Sequence, residues 1–156
     1  MATAKIFTIF FLAAALFLTG ARSVPASGTR LENLGNGTCQ DRVTGRMWQI
    51  TPSRQRFSSK EKARKYVKSL TTGGHHDWRL PTEDELTDLL GLIAIQGNDD
   101  CKFPRLDKVF WLVDSHQKTI PARLEMGCFC RGDFDLVQRH RGQVRGVRTI
   151  TTTKRK

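Results

Sequence analysis

The run Gly73-Gly74-His75-His76-Asp77-Trp78-Arg79-Leu80-Pro81-Thr82-Glu83-Asp84-Glu85-Leu86 constrains this chain more than any other stretch. Paired glycines end a preceding helix, because glycine enters left-handed backbone without steric cost. Asp77-Trp78-Arg79-Leu80 reads as extended, since Pro81 disfavours helical geometry in what comes before it. Thr82 and Glu85 have the spacing of a reciprocal helix cap, with Pro81 and Leu86 as its flanking apolar contact. The acids Glu83, Asp84 and Glu85 suit the positive end of the helix dipole. A joint of this kind organises a fold rather than performing chemistry. Asp77, Trp78, Arg79 and Pro81 are therefore read as structural residues, although the Arg79 fork would also suit a sulfate or carboxylate.

On either side of the joint the periodicity is helical. Before it, Ser58 is the expected cap with Glu61 as its partner, and Ala63, Tyr66, Val67 and Leu70 fall on one face. Lys60, Lys62, Arg64, Lys65 and Lys68 crowd the other faces, which reads first as a solvated surface. After the joint, Leu86, Leu89, Leu90 and Ile93 make a buried stripe. Elsewhere the segments are short and strand-like. Residues 39–50 read as two strands around Thr44-Gly45, with Met47, Trp48 and Ile50 supplying core volume. Phe110–Val113 reads as a buried strand and residues 122–126 as another. Phe134–Gln138 is expected to form a hairpin with residues 143–150 around Arg141-Gly142. Two helices with several short antiparallel strands define an α+β fold.

The ends set the compartment. Residues 1–26 read as an export signal: one early lysine, a nearly unbroken apolar run over 6–18, then small residues for cleavage. That run is shorter than the roughly 20 residues a spanning helix needs, so no retained transmembrane helix is expected. Residues 27–34 read as a mobile polar lead-in, 35–150 as one domain, and 151–156 as a loose basic tail. The formal charge is +11, of which Lys5 and Arg22 lie in the signal. The basic protein that remains favours anionic partners, or carries the charge for solubility alone. Asn36-Gly37-Thr38 matches a glycosylation acceptor, a match that matters only in a host able to use it.

All four cysteines, Cys39, Cys101, Cys128 and Cys130, lie beyond the signal. An even count in an exported chain argues for disulfides. Four cysteines allow three pairings. Cys128 and Cys130 sit too close to bond each other comfortably in extended chain, so each is expected to pair with one of Cys39 and Cys101. No metal is expected. His75 and His76 point to opposite sides of an extended segment, His116 and His140 are remote, and no ligand spacing accompanies them. Asp99-Asp100 lacks the oxygen-rich loop that calcium prefers. No serine-nucleophile motif, phosphate-cradling glycine loop or Cys-x-x-Cys appears, so neither a catalytic set nor a cofactor is expected. The remaining candidates for ligand binding are Arg131, Arg139, Arg141, Arg145 and Arg148, whose planar forks suit sulfate and carboxylate.

A family resemblance draws these pieces together. Gly37-Thr38, Asp41, Thr44-Gly45-Arg46-Met47-Trp48, Ala63, Tyr66 and Gly73-Gly74 come first. Asp77-Trp78-Arg79-Leu80-Pro81-Thr82, Glu85-Leu86, Phe110-Trp111 and Val144-Arg145-Gly146-Val147-Arg148 follow in order. The series resembles a bacterial domain family named for the C-terminal domain of Lcl, the Legionella collagen-like adhesin, and covers about residues 35–150. It marks Asp41 and Trp48 as further structural residues. Three positions depart from the family pattern. Arg46 replaces a usual apolar residue, and Gly146 stands where many members carry cysteine while Cys39 replaces an apolar strand residue. A relative's disulfide scheme therefore does not transfer. The resemblance implies a C-type-lectin-like fold and, by analogy with the adhesin, binding of sulfated polysaccharide.

Together these readings predict a secreted or periplasmic, non-catalytic, glycan-binding adhesion module for anionic polysaccharide or cell-surface glycan. The alternatives are a structural envelope protein or accessory subunit with a protein partner, and a cysteine-dependent enzyme. Specific nucleic-acid binding gains no support, because stacking aromatics are few.

Overall fold

The computed structural model describes residues 29–98, 100–127 and 134–150. It contains two small antiparallel sheets and two helices. The first sheet holds β1 (Leu31–Asn33), β2 (Thr38–Asp41), β3 (Arg46–Gln49) and, at its far edge, β7 (Val147–Thr149). The second holds β4 (Phe110–Val113), β5 (Thr119–Met126) and β6 (Phe134–Gln138). Between them in sequence lie α1 (Lys60–Lys68) and α2 (Glu83–Gln96). The α+β class is as expected.

The joint does what its residues require. Gly73 and Gly74 adopt φ of 65° and 78° in a short 3-10 turn. Thr82 caps α2 by accepting from the Glu85 amide, while the Glu85 carboxylate accepts from the Thr82 amide at 3.0 Å. The same carboxylate receives the Arg79 fork at 2.6 and 2.7 Å. Arg46, the departure from the family pattern, lies 3.4 Å from Glu85 and 2.8 Å from Asp88, so it clamps β3 onto α2 rather than leaving the edge bare. Burial pushes the Glu85 carboxyl upward, but Arg79, the Thr82 amide and Arg46 outweigh it and hold the group below its usual range. Asp77 pairs with Arg148 at 2.6 Å, and the Trp78 indole donates to the Thr72 carbonyl at 3.2 Å. Asp77 and Arg79, two residues apart, thus lie on one side of the extended segment and the buried Trp78 on the other, as strand alternation demands.

Several expectations are corrected. The cap of α1 is Ser59, not Ser58, and accepts from the Lys62 amide at 3.3 Å. The lead-in contributes β1, which pairs with β2 in the register Leu31↔Asp41. Arg30 there donates to the Asp41 carboxylate at 2.8 and 2.7 Å. The expected terminal hairpin does not form, because its two halves enter different sheets. Phe134–Gln138 pairs with β5, whereas Val147–Thr149 pairs with β3. Between them the chain stitches the molecule together. Gly142 bridges Phe57, Gln143 bridges Phe110 and Val147 bridges Arg79. Every residue from 142 to 147 is buried, so this segment behaves as an interior strand.

The disulfide expectation is corrected too. Cys39 bonds Cys101, with Cα atoms 5.9 Å apart, and closes a separation of 62 residues between β2 and the loop after α2. A cross-link of that span contributes about 2–4 kcal/mol by restricting the unfolded chain. Cys128 and Cys130 lie outside the described residues.

Two apolar clusters fill the interior. One packs Cys39, Trp48 and Val147 of the first sheet, Leu86, Leu89 and Leu92 of α2, and Phe110, Leu112, Ala122 and Leu124 of the second sheet. The other packs Ala63 and Val67 of α1 against Trp78, Trp111, Met47 and Val144. The second sheet is therefore covered on one face by the first cluster, while its other face is covered by α1 only near Trp111.

Candidate functional site: a cationic cleft

Strand alternation decides what that second face displays. In β5 the side chains of Ile120, Ala122 and Leu124 enter the core, so Thr119, Pro121, Arg123 and Glu125 point the other way. The register Arg123↔Val137 puts Val137 beside Arg123, and the Arg139 amide donates to the Pro121 carbonyl at 2.8 Å. Arg139 follows β6 directly and so emerges on the same face. Arg56 arrives from a third segment, held by the Phe57↔Gly142 bridge, and its guanidinium donates to the Arg141 carbonyl at 2.8 Å. Lys108 comes from a fourth segment, just before β4.

These side chains surround a cleft of about 240 Å³ whose walls are Arg56, Lys108, Arg123 and Arg139 with Asp107, over Val109 and Gln143. Glu125 lies between two of the arginines, 2.5 Å from Arg123 and 3.4 Å from Arg139. It orients both without consuming both charges. Asp107 sits 2.8 Å from Lys108, which holds its carboxyl below the usual range with a further push from Arg123. Four cations against two carboxylates leave the cleft positive. Arg123 and Arg139 keep 41 % and 46 % of their side-chain surface exposed, so their donors remain reachable. Chemically the arrangement can hold an anion with several acceptor oxygens through charge-assisted hydrogen bonds.

The five candidate arginines fall in different places. Arg139 lines the cleft. Arg141 is exposed at its margin and contributes its carbonyl to Arg56. Arg131 lies outside the described residues. Arg148 belongs to the first sheet, paired with Asp77.

Arg145 is a correction of kind, because it is fully buried. Its guanidinium donates to the carbonyls of Gln49 at 2.9 Å, Pro104 at 2.8 Å and Ile50, and lies 5.1 and 5.2 Å from the ring centres of Phe103 and Phe110. Burial draws its pKa down to about 9, so at neutral pH it is still a cation. Carbonyls and ring faces take the place of water around it. It is an internal brace and not a ligand group.

Arg56, Lys108 and Arg123 escaped the sequence reading. Only Arg123 carried a signal, the alternation Thr119-x-Pro121-x-Arg123-x-Glu125 across a strand.

The remaining motif residues are engaged within the fold. Trp48, Trp78 and Pro81 are buried, and the Pro81 carbonyl accepts from Val113 at 2.9 Å. Asp41 accepts from the Val43 and Thr44 amides at 3.0 and 3.2 Å. Thr38 of the glycosylation pattern is buried, and both its amide and its hydroxyl donate to the Asn36 side-chain oxygen. Among the described residues no group of three or more His, Cys, Asp or Glu could hold a metal ion.

An α+β domain held by a buried cross-link, with a positive cleft on one sheet face, is thus the class of molecule in hand. The Lcl C-terminal domain family model matches residues 37–148, and the chain belongs to that family. It is accordingly an adhesin-associated module. No curated protein and no solved structure matches the chain. Among the described residues no helix is long and apolar enough to cross a membrane.

Proposed function

We propose that this domain is a non-catalytic adhesion module, secreted or periplasmic and lectin-like in fold, that grips anionic polysaccharide in the cationic cleft. One observation carries the reading. Four cations from four separate chain segments converge on a single cleft, while only two carboxylates approach them. Exposed basic side chains scattered for solubility have no reason to converge. Arginine forks favour sulfate and carboxylate oxygens over neutral hydroxyls. The exposed large apolar side chains among the described residues are Leu34, Val43, Ile95 and Met126, none of them aromatic. Stacking of bases or sugar rings therefore contributes little, and charge dominates.

The test is retention on an immobilised sulfated polysaccharide as salt is raised. The Arg123→Gln/Arg139→Gln double variant loses two partly exposed charged contacts of about 0.7–1 kcal/mol each, a weakening of about 10- to 30-fold. Its thermal midpoint should stay close to that of the parent. Retention no greater than that of an unrelated protein of equal charge, or a double variant that binds normally, would remove the cleft from the account.

A further inference from the structure

The cleft is one end of a longer feature. Thr119 shares the outward face of β5 with Arg123, four residues or about 13 Å along the strand. At that far end the Arg64 guanidinium of α1 donates to the Thr119 hydroxyl at 2.6 Å. Arg64 and Lys68 rim a second hollow of about 330 Å³ floored by Val67, Trp78, Leu80 and Val113. Arg79, also at its edge, is committed to Glu85. No carboxylate lines this hollow.

Lys60, Arg64 and Lys68 recur every fourth residue, which places them along one side of the helix. Arg56, in the loop that precedes the helix, lines the cleft. The helix side that sequence alone reads as solvated surface thus reaches the second hollow through Arg64 and Lys68.

We infer that the ligand is a linear, repeatedly charged chain that occupies both hollows at once, with anionic groups about 13 Å apart, rather than a short anion held by the cleft alone. This rests on the cleft reading above. A chain held at the cleft presents its next charged group to Arg64 and Lys68 at high effective concentration, so the second contact strengthens binding without a second encounter. Polysaccharide is favoured over single-stranded nucleic acid because no aromatic is among the exposed large apolar residues described.

The experiment measures Kd for the full chain with a size-fractionated ladder of heparin oligosaccharides. Affinity should step up by about tenfold or more once the oligosaccharide can span the two hollows. Arg64→Gln/Lys68→Gln should abolish that step and leave the shortest bound fragment unaffected. Arg123→Gln/Arg139→Gln should weaken fragments of every length. A smooth rise with length, together with an inert Arg64/Lys68 pair, overturns the two-station track and leaves the cleft standing. Absence of binding at every length takes down the cleft reading and the track together. Equal affinity for a single-stranded oligonucleotide of matched charge overturns the assignment to polysaccharide. Denaturation midpoints of both double variants, expected to be unchanged, separate loss of binding from loss of fold.

Discussion

Replacing Arg145 with lysine separates the two roles this residue could have. As a brace, Arg145 supplies donors to the carbonyls of Gln49, Ile50 and Pro104 and stacks between Phe103 and Phe110. An ammonium group keeps the charge but loses the planar fork, so it cannot serve three carbonyls that approach from different segments. At least one buried carbonyl is left unpaired, at about 1–3 kcal/mol, and the weakened contact with two ring faces adds about 1 kcal/mol. A loss near 3 kcal/mol follows. With a urea slope of about 1.3 kcal/mol per molar, expected for a small domain, the unfolding midpoint should fall by about 2 M. Under native conditions, polysaccharide affinity should stay within about twofold, because Arg145 offers no exposed surface to a ligand. The brace is ruled out if Arg145→Lys unfolds like the parent while binding is lost. That outcome would return the residue to the ligand site.

Two further outcomes follow from the packing. Burial alone would raise the Asp41 carboxyl, but the Arg30 fork and the Val43 and Thr44 amides outweigh it and bring the pKa from 3.8 to about 2. A carboxyl depressed in the folded state stabilises fully above its unfolded value and ceases to as pH falls through its folded value. Asp41 therefore contributes about 2 kcal/mol at neutral pH that disappears between about pH 4 and pH 2. Asp41→Asn should cost that amount at pH 7 and flatten the acid limb of the stability curve, and parallel acid limbs in the two proteins would refute this. Gly146 admits no side chain, since an added Cβ would stand 2.9 Å from Leu70 Cδ1 and 3.0 Å from Trp78 Cε3. Gly146→Ala should cost about 1–3 kcal/mol in denaturant unfolding, and a neutral substitution would show that Trp78 moves freely.

Local signals were legible wherever one segment carried the whole message. The Thr82/Glu85 cap, the glycine turn before Asp77 and the apolar spacing of α2 depend on residues within a few positions of one another. The same was true of β4, whose short apolar run could only be interior. Legibility failed where the deciding partner lay far along the chain. Residues 143–150 looked like the second arm of a hairpin, yet their backbone hydrogen bonds go to Ser53, Arg79, Val109 and Trp111, which separate packing events bring there. Cys39 met Cys101 because β2 and the loop after α2 close on the same apolar cluster.

The amino-acid order alone determined the class of the fold, the joint at its centre, the family and the surplus of positive charge. Tertiary structure alone decided which cations face water together. Arg139 and Arg145 are near neighbours in the chain, but one lines the cleft and the other braces the core. Arg56, Lys108 and Arg123 come from distant segments and share a single cleft. Charge is a property of a residue, whereas a binding surface is a property of the register and packing that bring residues side by side.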